Sequence, residues 1–400
     1  MKDNSTKSLR TPQELLKEQS SWHRPLSIGI PKEDQTSEKR LAFTPEAIDM
    51  LVESGYEVVI EENAGLGINY SDRIFAENGA FITNDKKQVY ACDLIFKIAP
   101  PTIKEIALMK DKGTILNMLQ ISDITIDVIK AMQAKQINAI AYDLMSVDDK
   151  SYPVRNSISE IEGMAAISVA SEFLSNEKGG KGILLGGVPG VSPTEVIVVG
   201  AGMAGTVVAK AALALGATIK VFDNDLRKLR KLQDDLKFPV FTSVFQPNVL
   251  INAFKTADVV IGAMRYINDP VRYVISEEAV KTMKKSSLLI DLRINQGGCF
   301  ETTCFLPAGH PKIFEKHGVV HYCVPNLSSR VARTTSMALS NILVPLVNRL
   351  NEMGSLAGAI KSESAFLSGC YIYNGRLVNN YLAKHFNLPS NDINLYLSIF

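Results

Sequence analysis

Residues 194–225 read TEVIVVGAGMAGTVVAKAALALGATIKVFDND, and the fold follows from how this stretch is punctuated. An apolar run, Val196 to Val199, enters a loop that holds Gly200, Gly202 and Gly205. A segment rich in Ala and Leu follows at helix length. A second apolar run, Ile219 to Phe222, then ends on Asp223. Strand, glycine turn, helix, strand and acid in this order form the fingerprint of a dinucleotide-binding βαβ unit. Gly200 permits the tight turn, Gly202 lets backbone N–H groups approach a pyrophosphate, and Gly205 lets the helix pack closely. The partial positive charge at the helix N-terminus then favours phosphates.

Asp223 suits hydrogen bonds to adenosine ribose hydroxyls and would repel a 2′-phosphate, which predicts NAD over NADP as the cofactor. Arg227 and Lys228, close by in sequence, soften that repulsion. The same stretch does not read as a membrane span. Its glycines and Lys210 interrupt it, and the chain has no uninterrupted apolar run of ~20 residues.

With 400 residues, 46% of them hydrophobic, there is material for two domains with cores of their own. Basic and acidic residues number 43 and 42, so charge gives no reason to expect a nucleic-acid or membrane-surface partner. The five cysteines, at 92, 299, 304, 323 and 370, make no CxxC pair and no metal-ligand spacing. Buried reduced thiols and no metal are expected. The first 24 residues are polar, lack the apolar core of a signal peptide, and read as an N-terminal extension with one short helix near Leu15. A cytoplasmic enzyme is expected.

From Leu26 strands and helices alternate. LSIGI is a strand, PEAIDMLVESG a helix, YEVVIEE a strand, YSDRIFAENG a helix and AFI a short strand. DKKQVYAC is a helix, DLIFKIAP and GTILNML are strands, TIDVIKAMQAK is a helix and INAIAYD a strand. Such alternation predicts a mostly parallel sheet wrapped on both faces. A long helix, SISEIEGMAAISVASEFL, follows, with Ser157 and Glu160 at capping-box spacing. A turn-rich loop then leads into the glycine fingerprint. Beyond Asp223 come the helix DLRKLRKLQDDL and the strands PVFTS, ADVVIGAM, SSLLIDLRI and HYCVP. RTTSMALSNILVPLVNRL, interrupted by Pro345, carries the chain back to the first domain, and residues 351–400 read as a mixed tail with two short helical segments. The expected class is α/β, with two Rossmann-like domains and a cleft between them. Residues 25–153 and 333–400 form the substrate domain, and residues 154–332 the NAD-binding domain.

Ligands of open α/β sheets gather outside the carboxyl ends of the strands. Arg40 lies in the loop after LSIGI, Lys97 ends LIFK, Gln120 follows GTILNML, and Asn295 follows LLIDLRI. An Arg there suits a substrate carboxylate, and a Lys suits polarising a carbonyl oxygen or moving a proton. Gly65 and Gly67 read as a turn, and His321, alternating within VVHYCV, as a core residue. His23, His310, His317 and His385 have no acid or nucleophile at telling spacing.

Four stretches together resemble the alanine dehydrogenases and the soluble NAD-binding part of proton-translocating transhydrogenases. They are residues 28–67, residues 181–205, INQGGCFET at 294–302, and GVVHYCVPN at 318–326 with the RTTS that follows at 333–336. The resemblance covers about residues 26–350. It implies two Rossmann-like domains and assembly as a hexamer. It further implies that Arg40 binds the carboxylate of pyruvate or alanine and that Lys97 contacts the keto or amino group. Ser159, Gly200, Gly202, Gly205, Asp223, Lys228 and Asn326 match cofactor contacts.

Two positions depart from that pattern. Gln120 stands where the family has a catalytic His, and Asn295 where it has a catalytic Asp. Neither amide exchanges a proton near neutral pH. Arg293, where the family has a small residue, is expected to share a strand face with Asn295 and to make the site more positive, suiting a substrate more anionic than alanine. Lys97 is then the remaining titratable match, and its ordinary pKa of ~10.4 leaves little free amine at pH 7 unless burial or Arg293 lowers it. Two readings follow: an NAD-dependent amino-acid dehydrogenase converting L-alanine to pyruvate and ammonia, or an NAD-binding transhydrogenase-like or regulatory protein with little turnover.

Overall fold

The computed structural model describes residues 26–147, 151–264, 275–303 and 310–397. The N-terminal extension, with His23, and Cys304 lie outside them. The chain divides into two compact units. The first takes the described residues up to Leu119, then Ile124–Val154 and everything from Ser336 onward. The second takes Gln120–Asp123 and Arg155–Thr335. No helix among the described residues is long and apolar enough to cross a membrane.

The first unit is built on β1 (Ser27–Ile30), β2 (Glu57–Glu61), β3 (Phe81–Thr83), β4 (Leu94–Phe96), β5 (Thr114–Asn117) and β6 (Asn138–Ala141). They pair in parallel in the order β6-β5-β4-β1-β2-β3. Every residue of β4, β5 and β6 is buried, which is why these strands show no polar–apolar alternation, their polar residues Thr114, Asn117 and Asn138 standing only at strand ends. A Cβ on Gly29 of β1 would lie 2.1 Å from the Val89 carbonyl oxygen, so the helix Lys86–Tyr90 rests directly on that strand. The order places β1 between β4 and β2, which makes the β1/β4 border the point where the winding reverses.

Two parts of this unit differ from expectation. The helix Ile103–Leu108 falls between two strands read as consecutive, and it is started by a capping box of Thr102 and Glu105. The tail contributes four short helices, Leu356–Ser362, Ser364–Gly369, Asn380–Phe386 and Ile393–Leu397, and also two strands. Cys370–Tyr373 pairs antiparallel with β6, and Arg376–Leu377 pairs antiparallel with it in turn. Four buried residues, CYIY, are too few for periodicity to tell a buried strand from a helix. The long helix Ala332–Glu352 runs through Pro345 without a break in its span. Its Ser336 and Ser340 hydroxyls accept from the backbone N–H groups of Leu41 and Thr44, both at 2.9 Å, and so anchor the loop that carries Arg40.

The second unit holds β7 (Glu195–Val199), β8 (Thr218–Phe222), β9 (Phe241–Ser243), β10 (Val259–Gly262), β11 (Leu288–Asp291), β12 (Ile313–Lys316) and β13 (Val319–Tyr322). Their order is β12-β13-β11-β10-β7-β8-β9. All neighbours are parallel except the edge pair β12–β13. Side chains of alternate parity enter two separate cores. Val196, Val198, Val259, Ile261, Leu288 and Ile290 enter one, while Ile197, Val199, Val260 and Leu289 enter the other. Edge strand β12 and the helices Pro247–Thr256 and Glu277–Lys281 were not legible in the sequence.

Two local expectations are corrected here. The helix Pro153–Leu174 begins at its proline, whose missing N–H costs nothing in a first turn. Ser157 therefore sits inside the helix and forms no capping box with Glu160. Strand β11 ends at Asp291, and Arg293 precedes the 3₁₀ turn Ile294–Gln296, so Arg293 and Asn295 share no strand face. His321 lies on β13 fully buried, with Nε2 2.9 Å from the Thr302 hydroxyl and Nδ1 2.9 Å from the Val319 carbonyl. Cys92, Cys299, Cys323 and Cys370 are buried free thiols.

Candidate functional site

In the first unit the carboxyl ends of β1 and β4 carry two cations, each held by carboxylates. Arg40 is 1% exposed, and its fork closes on Glu38, Nε donating to Oε1 at 2.7 Å and Nη2 to Oε2 at 2.5 Å. Lys97 is 4% exposed, with Nζ 3.2 Å from Glu33 Oε2 and 3.0 Å from Glu105 Oε1. The Lys97 carbonyl accepts from the Tyr142 hydroxyl at 2.7 Å, which fixes the backbone at the strand end. Glu105 Oε1 also accepts from the Tyr90 hydroxyl at 2.7 Å, and Oε2 accepts from the Thr102 N–H and hydroxyl. Glu33 Oε1 accepts from the Ile98 N–H at 2.5 Å, while its buried Oε2 makes no hydrogen bond.

The electrostatics of this cluster show that the condition for a free Lys97 amine is not met. Burial pulls the Lys97 pKa down, but the charges of Glu33 and Glu105 outweigh it and hold the ammonium above its ordinary range. Burial pushes Glu105 up, and Lys97, the Thr102 N–H and Tyr90 more than reverse that, leaving its carboxyl below the usual value. Glu33 goes the other way: burial outweighs Lys97 and the Ile98 N–H, and its carboxyl lies above the usual range. Lys97 is thus a guarded cation and not an amine poised near neutrality.

In the second unit the glycine loop sits where β7 borders β10, the switch point of that sheet. Gly200 has φ +112°, and a Cβ there would meet the Met264 backbone N at 2.8 Å. A Cβ on Gly205 would fall 1.8 Å from the Gly200 carbonyl oxygen, so the helix Met203–Ala214 presses against the loop. Gly202, preceding that helix, has no atom within 4 Å of where its Cβ would be, leaving an open cradle beside the helix N-terminus. Asp223 ends the second strand buried. Its Oδ2 accepts from the Ala201 N–H and its Oδ1 from the Asp225 N–H, both at 2.8 Å, tying the acid to the glycine loop. Lys228 is exposed on the helix Leu226–Leu236, and Arg227 is paired with Asp225 at 2.9 Å. Ser159 is buried on the helix Pro153–Leu174.

Gln120, Asn295 and Asn326 come together as a row of amides within the second unit. Asn295 Nδ2 donates to Asn326 Oδ1 at 2.8 Å, and Asn326 Nδ2 donates to Gln120 Oε1 at 3.4 Å. Asn326 takes a left-handed backbone, φ 51°, which Asn tolerates better than most residues. Gln120 Nε2 is buried without a partner. Arg293 is buried with Nη1 3.7 Å from Glu162, so its charge is matched by a carboxylate that the sequence reading did not supply. Asp291 holds the loop that carries both residues, accepting from the Arg293 N–H at 2.9 Å, the Cys299 N–H at 2.7 Å and the Thr303 hydroxyl at 2.5 Å. Among the partners missed from sequence, Glu105 had a readable sign, the T-x-x-E of 102–105. Glu38 stands only two residues from Arg40, whereas Glu33 and Glu162 had no sign, because only the fold brings them to their cations.

A doubly wound sheet with a tight glycine loop at its switch point, in a chain with a second mostly parallel sheet, defines a two-unit α/β protein of Rossmann-like type. The family follows from comparison. The N-terminal domain model of alanine dehydrogenase/PNT matches residues 29–162, its C-terminal domain model matches residues 166–380, and the chain belongs to this family. The alanine dehydrogenase of Staphylococcus saprophyticus is 35% identical over 366 residues, covering 92% of this chain and 98% of the relative. That of Methanococcus maripaludis is 35% identical over 363 residues, covering 90% and 97%. A solved L-alanine dehydrogenase superposes with a TM-score of 0.83 at 30% identity, covering 90% of this chain and 99% of that one. A transhydrogenase from Sinorhizobium meliloti superposes at 0.76 with 21% identity over 88% of this chain and all of that one, a likeness of fold alone.

Proposed function

We propose that the chain is an NAD-dependent dehydrogenase that interconverts L-alanine, or a close relative of it, with the 2-oxo acid and ammonia. The observation that carries this reading is the guarded ammonium of Lys97 at the switch point of one sheet, in a chain whose other sheet has an open glycine cradle at its own. The residues present fit a dinucleotide. Backbone N–H groups at Gly200 and Gly202 and the start of the helix Met203–Ala214 would hold the pyrophosphate, and Gly205 keeps that helix close. Asp223 would take the ribose hydroxyls with the lone pairs its two backbone bonds leave free. Ser159, Lys228 and Asn326 would complete the cofactor contacts. When bound, the nicotinamide supplies or accepts the hydride.

The chain's own residues do the rest. Arg40 orients the substrate carboxylate, and Lys97 donates a hydrogen bond to the carbonyl oxygen and a proton as it leaves. Gln120 and Asn295 hold hydrogen bonds without titrating. NAD is preferred over NADP because Asp223 is a buried acid at the ribose position. The protein acts in the cytoplasm as a homo-oligomer. Residues 25–153 with 333–400 serve as the substrate domain and residues 154–332 as the cofactor domain.

The row of amides favours a second reading, cofactor binding with little alanine turnover. A turnover assay with NADH, ammonia and a panel of 2-oxo acids decides between them. Measurable turnover of pyruvate or a near homologue is expected, and none with any oxo acid, alongside intact NAD binding, would overturn the dehydrogenase reading. Turnover is expected to fall below the ~10 s⁻¹ median of enzymes. Asn295→Asp should raise it only if Asn326 reverses its amide, since the new carboxylate would otherwise face Asn326 Oδ1. Asn295→Asp with Gln120→His is the fuller restoration.

A further inference from the structure

Two buried carboxylates, Glu33 and Glu38, and a partly buried one, Glu105, stand with two buried cations, Arg40 and Lys97. Arg40 and Glu38 close on each other through two bonds and balance. Lys97 alone faces two acids, which leaves one negative charge in excess where an unpaired charge is costly. One proton removes the excess, and geometry says which acid carries it. Glu105 is surrounded by donors: the Tyr90 hydroxyl, the Lys97 ammonium, and the Thr102 N–H and hydroxyl. A carboxylate is the form those donors require. Glu33 has fewer: the Ile98 N–H on Oε1, and on Oε2 only the Lys97 ammonium at 3.2 Å, an ion-pair contact not aligned as a hydrogen bond.

We propose that Glu33 is the proton store of Lys97, a positioning and proton-holding residue that acts through the lysine and takes over the proton traffic that Gln120 and Asn295 cannot carry. The proposal rests on the dehydrogenase reading above for what the proton is used for, but not for where the proton sits. In the aminating direction, an N–H bond of the Lys97 ammonium breaks as an O–H bond forms on the substrate oxygen that departs as water. Glu33 Oε2–H then gives its proton to the Lys97 amine and becomes a carboxylate, which solvent reprotonates. No electrons move in either transfer. In the oxidising direction each transfer reverses, and the Glu33 carboxylate takes the proton up. Burial, which lifts the Glu33 carboxyl above its usual range, supports this order. The other ionisable groups around it are already engaged. Asp143 accepts from the Leu119 N–H, Glu61 from the Lys32 N–H and Lys86, and the Tyr142 hydroxyl donates to the Lys97 carbonyl.

The test reads the proton directly, by infrared spectroscopy of the full chain without cofactor at neutral pH. Subtracting Glu33→Gln from wild type should reveal the carbonyl band of a protonated carboxyl. Asp291 is a second buried carboxyl lifted by burial, so the wild type is also recorded with carbon-13 in its Glu carboxyls, which shifts a Glu33 band and leaves an Asp291 band in place. That labelled wild type keeps the test valid should Glu33→Gln fail to fold. A wild type with no protonated Glu carboxyl overturns the proposal, as does a Glu carboxyl band that survives in Glu33→Gln. With substrate, kcat for amination should fall and kcat for alanine oxidation should rise through one shared titration. Glu33→Gln should flatten both profiles and lower kcat by ~10²-fold with KM for the oxo acid unchanged, and Glu33→Asp should recover part of the loss. Unchanged profiles in Glu33→Gln overturn the proposal. An absence of turnover with every substrate, beside a positive infrared result, would instead overturn the dehydrogenase reading.

Discussion

Arg40 shows how burial changes what a single substitution measures. Removing it strands Glu38, 2% exposed, as an unpaired charge, and losses of this kind run to ~3–5 kcal/mol. Arg40→Ala is expected to lower unfolding stability by that amount, so weak substrate binding in it would say little. Arg40→Met with Glu38→Gln removes both charges and should recover most of the stability in urea titrations. Oxo-acid affinity should stay low in both variants while NADH affinity holds, and normal oxo-acid binding in the stable double variant would remove Arg40 from the substrate site. His321 gives a pH prediction with a fixed sign. Burial depresses its pKa to about 4, against 6.5 for a free imidazole. Between those values the unfolded chain binds a proton that the folded chain does not, so stability falls as pH drops from 6.5 to 4, by on the order of 2–3 kcal/mol. The urea midpoint followed across that range should slope downward toward acid, and His321→Gln should flatten the slope.

At the scale of elements the glycine loop separates two roles that one motif combines. Gly205→Ala drives a methyl into the Gly200 carbonyl at 1.8 Å and should both destabilise the second unit, by the ~1–3 kcal/mol of an overpacked contact, and abolish NAD binding. Gly202→Ala meets no atom of the chain and should leave the melting temperature unchanged while weakening NAD in calorimetry. Equal effects of the two on stability would refute the open cradle. This loop was the most legible part of the sequence, since its glycines, strands and acid each answer to a local rule. Lys97 was legible in the same way, as a charged residue ending a buried strand. What stayed hidden was pairing across the fold. Glu33 reaches the Ile98 N–H over 65 residues, and no spacing rule bridges that distance. Short elements were hidden as well: β12 has four residues and the helix Glu277–Lys281 five, too few for either periodicity to declare itself.

At the scale of the molecule, the tail completes the first sheet. Cys370–Tyr373 covers the edge of β6, and the Tyr371 hydroxyl donates to Asn117 Oδ1 at 2.7 Å, just before the segment that carries Gln120. A chain ended at Gly369 should lose the first unit to limited proteolysis while a fragment spanning 155–335 survives, because no strand of the second sheet comes from the tail. Survival of both units would make the tail strands dispensable. The same covered edge has a meaning in time. Asn374 bonds to Asn138 across 236 residues, so on the ribosome the strand that closes β6 is made long after β6 itself. At ordinary synthesis rates that interval lasts about 10–50 s, and during it a half-built sheet offers an unpaired edge to any neighbouring chain. Such a protein should depend on trigger-type holdases when it is overproduced, and slower translation should lower its yield, not raise it.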